Sequence, residues 1–129
     1  MLGRDFGYLT EQGQWTFWSR RGRRGGLAHP ALRGAIQLAN ASTAIVALES
    51  LAERPPVSMQ DIRRGLIEVE LPGRFQVLPG RPTVVLDVGH NPQAAGVLAD
   101  NLASMAFHPE TWAVFGMLAD KDIAGVVER

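Results

Sequence analysis

The sequence predicts an α/β protein in which a hairpin and helices precede a strand–helix–strand unit of a parallel sheet. Residues 6–19 have the composition of two strands around the Glu11-Gln12-Gly13 turn, which is typical of a hairpin. Residues 38–53 repeat apolar side chains at helical spacing. A short apolar run over 83–86 ends in a carboxylate and is followed by a helix start. Consecutive strand, helix and strand elements form a right-handed crossover in a parallel sheet.

The hairpin is predicted from strands over Phe6–Thr10 and Gln14–Ser19, followed by a flexible Gly-Arg turn and a short return near Leu27. The stretch 19–26 contains four arginines and follows three aromatic side chains. Arginines and stacking aromatics can bind single-stranded nucleic acid. We favour a solvated hairpin turn, because a run of like charges is usually a solvent-exposed surface.

Two helices are predicted next. The first extends over Leu38–Glu53 and stops at Arg54-Pro55-Pro56, because the residue before a proline disfavours helical geometry. The second begins after Ser58, where Asp61 completes a capping arrangement. Its apolar positions are Met59, Ile62, Leu66 and Val69, and it ends at Pro72-Gly73.

The second half of the chain supplies the predicted strand–helix–strand unit. The first strand is Thr83–Leu86, and the helix begins with Asn91 as N-cap and Pro92 at the first helical position. The second strand is predicted over Trp112–Met117, with Asp120 as the cap of a last helix. Two strands alone leave open sheet edges, which favours a piece of a larger domain or pairing with another chain. The helix between them is expected to bury Ala95, Leu98, Leu102 and Met105.

Composition excludes several classes of function. The formal net charge is 0 over 129 residues, so no global field favours nucleic acid or membrane. The absence of cysteine excludes disulfides and thiolate chemistry, and three scattered histidines offer no zinc spacing. The apolar runs are shorter than a membrane span requires, and the N-terminus lacks a signal-peptide pattern. We therefore expect a cytoplasmic protein without nucleic-acid or membrane partners.

Four features around one predicted crevice indicate an ATP-handling site. Arg74 lies on a Pro-Gly turn, Asp87 ends the strand, and His90 precedes the helix start at Pro92. The crevice beyond the carboxyl ends of strands is where nucleotides usually bind, and a helix N-terminus suits an anion. Each residue also has a simpler explanation: a solvated arginine, a turn-capping aspartate and a hydrogen-bonded histidine. Asn40, at the predicted start of a helix, is explained by capping or by pairing with adenine.

Four motifs in order resemble one family. They are QLANASTA at 37–44, LPGRF at 71–75, DVGHNP at 87–92 and GMLADKD at 116–122. Together they resemble the folylpolyglutamate synthase and dihydrofolate synthase branch of the Mur-type amide ligases. The resemblance extends from Gly3 onward but covers only part of the family's length, so it implies an internal piece of a longer enzyme.

The resemblance implies roles for individual residues. Asn40 would face adenine, Asp87 would bind the ribose, and Arg74 would contact ATP and stabilise the transferring phosphoryl group. His90 is a further catalytic candidate, because a histidine beside a phosphate can donate a hydrogen bond. Asn40 and Asp87 would then serve the same nucleotide. For Lys121 a phosphate or substrate carboxylate and local pairing with Asp120 or Asp122 stay open.

The resemblance also implies the domains and the reaction. Residues 1–75 would end a central ATPase domain, and 76–129 would begin a Rossmann-like C-terminal domain. The parent enzyme would use ATP to activate dihydropteroate or a folate such as tetrahydrofolate as an acyl phosphate, which the amino group of L-glutamate attacks. The phosphate loop and the magnesium ligands are missing from the sequence, so we expect them in an absent N-terminal part. The isolated chain should be inactive and able to self-associate, whereas the parent is expected to be a monomer.

Two alternatives stay open. A cell-wall or cyanophycin-type ligase would share the arginine, aspartate and HNP pattern, although QLANAS and GMLADKD argue against it. A non-enzymatic module could instead bind nucleic acid or protein through the arginine- and tryptophan-rich hairpin; salt-dependent binding to single strands would distinguish it.

Overall fold

The structure, a computed structural model, describes residues 1–34, 36–51, 56–105 and 108–129. The chain divides into two compact units, Met1–Leu71 (unit 1) and Pro72–Arg129 (unit 2). Both contain a small sheet and helices, which confirms the mixed α/β class. No described helix is long and apolar enough to cross a membrane.

Unit 1 begins with a three-stranded antiparallel sheet in the order β1 (Phe6–Glu11), β2 (Gln14–Ser19) and β3 (Gly22–Ala28). The predicted hairpin of β1 and β2 is confirmed, with Glu11 opposite Gln14 at its turn. The predicted flexible turn over the arginine stretch is wrong, because most of that stretch is β3. Pairing with β2 satisfies its backbone groups, which a flexible turn would leave to water.

Two helices follow, α1 (Gln37–Ser50) and α2 (Met59–Glu68). The capping prediction for α2 is confirmed: the Asp61 backbone N–H donates to Ser58 Oγ at 3.1 Å, and the Ser58 backbone N–H donates to Asp61 Oδ2 at 2.9 Å. The helix α1 ends at Ser50. Its predicted end at Glu53 and the predicted stop at Arg54-Pro55 lie outside the described residues.

The core of unit 1 forms where the sheet packs against both helices. Trp15 is the largest side chain in it; its indole N–H donates to the Ala28 carbonyl at 2.8 Å, so its one polar atom is satisfied. Tyr8 packs edge-on against it, with ring centroids 6.5 Å apart. Burying one large apolar side chain contributes roughly 1.5–3 kcal/mol. The buried hydrophobic residues of this core are Trp15, Phe17, Leu27, Leu38, Ala41, Ile45 and Ile62.

A buried carboxylate joins the sheet of unit 1 to its helices. Glu49 of α1 is 7% exposed and accepts hydrogen bonds from Ser19 Oγ at 2.7 Å and Arg24 Nε at 3.1 Å. Arg24 also donates to Met59 Sδ of α2 at 3.1 Å. The ion pair and these two hydrogen bonds together connect β2, β3, α1 and α2. The charge of Glu49 is thereby neutralised where water is scarce.

Unit 2 contains the antiparallel strands β4 (Gln76–Leu78) and β5 (Val84–Leu86), followed by α3 (Pro92–Ala103) and α4 (Ile123–Val127). Asn91 caps α3 as predicted, with its Oδ1 accepting from the Ala94 N–H at 2.9 Å.

Three predictions for unit 2 need correction. Residues 112–117 form no strand, because β5 pairs with β4 and no described strand pairs with this segment. Asp122, rather than Asp120, caps α4 by accepting from Gly125. The stripe predicted to be buried is only half-buried at all four positions, and the buried residue of α3 is instead Asn101, which is not part of that stripe.

Candidate functional site

A four-residue turn, Gly73–Gln76, presents Arg74 at the start of unit 2. The Val88 N–H donates to the Gly73 carbonyl at 2.8 Å, and the Gly73 N–H donates to Gln76 Oε1 at 3.0 Å. On the other side of Arg74, the Phe75 N–H donates to Asp87 Oδ2 at 2.8 Å. Three hydrogen bonds therefore fix the backbone on both sides of one arginine. We call this segment the arginine turn.

The arginine turn has an unusual backbone. Gly73 has φ +70° and Phe75 has φ +45°. Positive φ is open to glycine but costs free energy at a residue such as phenylalanine. Glycine is needed at 73 for a second reason, since a Cβ there would lie 2.7 Å from Val88 Cγ1. Phe75 is buried, and its burial together with the hydrogen bonds offsets this cost.

Asp87 uses both carboxylate oxygens on backbone groups. Oδ2 accepts from Phe75, and Oδ1 accepts from the Gly89 N–H at 2.7 Å. A Cβ at position 89 would lie 2.9 Å from Oδ1, so glycine permits this close approach. The simpler explanation of Asp87 as a turn cap is thus correct. Each oxygen of a carboxylate has a second lone pair, so the exposed carboxylate can still accept from two further donors, such as adjacent hydroxyls.

Arg74 is exposed and forms no hydrogen bond or ion pair with another residue in the part of the chain that the structure describes. Its five N–H donors are therefore available to a ligand. A planar guanidinium of this kind suits the oxygens of a phosphate or carboxylate.

His90 lies beside this turn with a defined proton arrangement. Its Nδ1 is 3.0 Å from the Val88 carbonyl oxygen. Because a carbonyl can only accept, Nδ1 carries the hydrogen of this bond. The neutral ring then has an unprotonated Nε2, and His90 can donate through Nε2 only when it is charged.

The N-terminus of α3 follows directly after His90. Asn91 accepts from one of the first free amides, and Pro92 has no amide to satisfy. The positive end of a 12-residue helix therefore lies within a few residues of Asp87 and His90. The hydrogen bonds of Gly73 and Phe75 thus place the backbone at Arg74 beside residues 87–88, and His90 and a helix start that favours an anion follow a few residues later in the chain.

Asn40 lies in unit 1 and differs from its predicted position. It is the fourth residue of α1, which begins at Gln37, and Ile36 is the N-cap. The side chain is exposed, and its Nδ2 donates to Gln37 Oε1 at 3.2 Å. Capping therefore does not explain Asn40, because the helix begins one turn earlier. Its Oδ1 and its second Nδ2 hydrogen can form further bonds.

The remaining questions about the site are the contacts of Lys121 and the presence of metal ligands. The Lys121 Nζ is 3.1 Å from Asp120 Oδ2, so this lysine forms a local ion pair. Within the ranges that the structure describes, no group of three His, Asp or Glu residues could bind a metal ion.

Three residues of the site escaped sequence analysis: Phe75, Gln76 and Gly89. The positive φ of Phe75 has no signal in its residue type, since phenylalanine rarely adopts it. Gln76 accepts from an amide three residues earlier, a contact that no simple motif describes. Gly89, within DVGHNP, could have been found, because glycine two residues after a strand-ending aspartate favours a tight turn.

Known proteins share both the sequence and the fold. The family profile "Mur ligase, glutamate ligase domain" matches residues 73–129. The dihydrofolate synthase/folylpolyglutamate synthase of Escherichia coli is 37% identical over 125 residues, which are 97% of this chain and 28% of that enzyme. The structure of Escherichia coli FolC in complex with ADP superposes with a TM-score of 0.84 at 36% identity, covering 98% of this chain and 29% of the other.

A bifunctional folylpolyglutamate synthase/dihydrofolate synthase solved with Mn, AMPPNP and L-glutamate gives a TM-score of 0.82 at 38% identity, with 98% of this chain and 29% of that one covered. The chain thus spans less than a third of the length of the relatives that it matches. Sequence similarity over nearly the whole chain, the shared fold and the family profile agree. The chain belongs to the folylpolyglutamate synthase/dihydrofolate synthase family of Mur-type ligases.

Proposed function

We propose that this chain is part of a longer ATP-dependent ligase that joins L-glutamate to dihydropteroate or a folate. The observation that supports the proposal most strongly is the arginine turn. The turn presents Arg74, whose guanidinium has no partner among the described residues, and it is hydrogen-bonded to the exposed Asp87 carboxylate. The N-terminus of α3 follows within the same segment that matches the ligase profile. Similar proteins have been solved with ADP and with AMPPNP, Mn and L-glutamate.

The chemistry requires activation of a carboxylate. A carboxylate is a poor electrophile, so a carboxylate oxygen first takes the γ-phosphoryl group of ATP, with ADP as the leaving group. The acyl phosphate that forms can then lose phosphate in the second step. The amino group of glutamate then attacks the carbonyl carbon and releases phosphate. Charge spreads over the transferring group in the first step. Arg74 would stabilise that charge, and His90 would donate a hydrogen bond to a phosphate oxygen.

The remaining roles are assigned to nucleotide binding. We propose that Asp87 accepts hydrogen bonds from the ribose hydroxyls and that the Asn40 amide pairs with the adenine edge, since an amide offers both a donor and an acceptor. Magnesium would offset the charge of the triphosphate; we place its ligands and the phosphate loop outside this chain. We further propose that residues 1–75 belong to the central ATPase domain and 76–129 to the C-terminal domain.

Exposed apolar side chains in unit 2 favour a longer protein. Surfaces of this kind in soluble proteins usually contact another part of the protein or a partner. We propose that further sequence of the same ligase covers them, which leaves the longer protein a monomer. The large hydrophobic side chains of the segment 112–118 that are exposed are Trp112, Val114, Phe115 and Leu118.

The nucleic-acid alternative is weakened by the state of the arginines. Of the four arginines in the stretch 19–26, Arg20 binds Asp5 at 2.6 Å and Arg24 binds Glu49 at 3.1 Å, whereas Arg21 and Arg23 are exposed and form no ion pair with a described residue. A phosphate backbone would have to compete with these carboxylates, whereas Arg74 has no such competitor among the described residues.

The test is Arg74→Ala in the longer ligase, with glutamate- and folate-dependent release of ADP as the assay. Turnover should fall by about 10²-fold or more, on the scale of arginine fingers, and ATP affinity should change less. Arg81→Ala is a matched control, because Arg81 is also an exposed arginine of unit 2. Near-normal turnover of Arg74→Ala would reduce Arg74 to a surface residue. ADP release by the 129-residue chain alone would contradict the proposal that the triphosphate site lies elsewhere.

A further inference from the structure

We propose that Gln76 is a positioning residue for Arg74. It lies at the start of β4, opposite Leu86 of β5, and its side chain is half-buried. Its Oε1 accepts the N–H of Gly73 at 3.0 Å, which closes the arginine turn on the side where Asp87 does not act. The proposal rests on the proposed role of Arg74 in phosphoryl transfer.

The arginine turn needs such a bond because of its backbone. The two residues that flank Arg74 both have positive φ, +70° at Gly73 and +45° at Phe75. Glycine at 73 can adopt many other conformations at low cost. Without an acceptor for its N–H, the Gly73 peptide could rotate and move the Cα of Arg74. Gln76 therefore acts on the more flexible side of the turn, and Asp87 acts on the strained side through Phe75.

This arrangement connects the two proposed ligand groups of unit 2. Asp87 accepts from Phe75, next to Arg74, with the carboxylate that is assigned to the ribose. The Gln76 bond and the Val88 bond complete the same hydrogen-bonded unit, which extends from residue 73 to residue 89. A guanidinium fixed relative to the ribose site is pre-organised for the phosphate chain of one nucleotide. Such pre-organisation raises turnover more than affinity.

A simpler role for Gln76 is to stabilise strand pairing. The two roles predict different kinetics, because a residue that only supports β4 should act regardless of the side chain at 74. A residue that acts through Arg74 should lose its effect once Arg74 is gone. A double-mutant cycle measures this difference.

The variants are Gln76→Leu, which keeps side-chain bulk but removes the acceptor, and Gln76→Glu, which keeps an acceptor oxygen. Gln60→Ala is the control, since Gln60 is an exposed glutamine on α2. In the longer ligase, Gln76→Leu should lower kcat by roughly 10-fold to 10²-fold, the scale of a misplaced catalytic group. The KM for ATP should stay nearly unchanged, and Gln76→Glu should retain most of the activity. Arg74→Ala/Gln76→Leu should be no slower than Arg74→Ala.

Two outcomes would overturn the inference and leave the proposed function intact. One is a normal kcat in Gln76→Leu. The other is a double variant whose fold-decrease in kcat equals the product of the fold-decreases of the two single variants. If Arg74→Ala itself has normal turnover, the proposed role of Arg74 fails, and the positioning role fails with it.

A measurement without catalysis tests the bond itself. Amide hydrogen exchange in the 129-residue chain should show the Gly73 N–H protected in the unaltered protein and in Gln76→Glu. In Gln76→Leu this protection should be lost, while the backbone N–H of Trp15 in the unit 1 sheet stays protected. A Gly73 amide that exchanges equally fast in all three proteins would show that the turn is not held by Gln76.

Discussion

The two units of this chain achieve a defined structure by different means. Unit 1 has a core of seven buried hydrophobic residues and a buried ion pair. Within the described part of unit 2, only Phe75 and Asn101 are buried. The candidate site of unit 2 is instead specified by hydrogen bonds between Asp87, Gln76 and the backbone. Packing stabilises unit 1, whereas local polar contacts determine the shape of unit 2.

This difference separates stability from function. In unit 1, a side chain matters by the volume that it fills, because a close-packed interior relaxes only partly around a cavity. In the candidate site of unit 2, the effect of a residue depends on the hydrogen-bond donor or acceptor that its side chain provides. Mutations should therefore affect global unfolding in unit 1 and ligand binding or turnover in unit 2.

The largest expected effect is that of Phe17→Ala in the core of unit 1. Phe17 has 0% exposure, and removing a buried phenyl ring costs about 3–5 kcal/mol of unfolding free energy. Urea unfolding, followed by tryptophan fluorescence, measures the change. Phe115→Ala is the matched control in unit 2, where the side chain is 59% exposed, and it should change the free energy by about 0.5 kcal/mol or less. Equal losses in both variants would contradict the contrast between the units.

A smaller loss of unfolding free energy is expected for Arg24→Ala, which is also in unit 1. It leaves the buried Glu49 carboxylate with the Ser19 hydroxyl as its one hydrogen-bond donor among the described residues. Because Arg24 is itself about one-third exposed, water can replace part of the interaction, and we expect a cost of about 1–3 kcal/mol. Arg64→Ala is the control: its ion pair with Glu68 is solvent-exposed on α2 and contributes about 0.2–0.5 kcal/mol. If Arg24→Ala and Arg64→Ala lower the free energy of unfolding equally, the burial of Glu49 does not determine the strength of its ion pair.

The sequence predicted the elements of unit 1 better than those of unit 2. In unit 1 the β1–β2 hairpin and the α2 capping box follow from local patterns, and the structure contains both; in unit 2 the same holds for the cap of α3. The third strand escaped prediction because Gly-Arg repeats lack the alternation of a strand, and its pairing depends on β2. The strand expected over 112–117 has the right apolar composition, but strands need a neighbouring backbone that composition cannot supply.

The candidate site shows the same limit. Arg74, Asp87 and His90 could be singled out because strand ends, Pro-Gly turns and helix starts leave marks in the sequence. Gln76 and Phe75 could not, because their roles arise from a backbone conformation with two positive φ values. Asn40 was placed at a helix start, and the structure moves that start to Gln37. Local chemistry was therefore predictable, whereas the partners of each group were not.

A moderate effect on nucleotide binding is expected for Gly89→Ala in unit 2. A Cβ at this position would lie 2.9 Å from Asp87 Oδ1 and 3.2 Å from Ala94 Cβ, so the carboxylate must move away from its amide. We expect about 10-fold weaker binding of an ATP analogue, comparable to one lost hydrogen bond. Calorimetric titration of the longer ligase measures it. Gly96→Ala is the control, because a Cβ there meets nothing within 4 Å. Unchanged affinity for the ATP analogue in Gly89→Ala would show that the position of the Asp87 carboxylate does not affect nucleotide binding.

The smallest effect concerns the capping box of α2, a local polar contact within the well-packed unit. Ser58→Ala removes the hydroxyl that accepts from the Asp61 amide and donates to its carboxylate, at a cost of about 1 kcal/mol. The Ser58 hydroxyl, and secondarily the Ser58 amide, lowers the pKa of Asp61 from its ordinary value of 3.8. A lowered pKa in the folded state stabilises the protein above pH 3.8, and this contribution disappears as the pH falls through the lowered pKa.

The pH dependence therefore gives the capping box its own signature. Thermal unfolding at neutral pH should show the loss in Ser58→Ala, and the difference between the two proteins should shrink at pH values below the lowered pKa of Asp61. Ser50→Ala provides the control, because the Ser50 hydroxyl donates to the Val46 carbonyl within α1 and caps no helix start. A difference between Ser58→Ala and the unaltered protein that stays constant down to strongly acidic pH would show that the Asp61 carboxylate takes no part. The polar contact at residue 58 would then stabilise α2 through the serine alone.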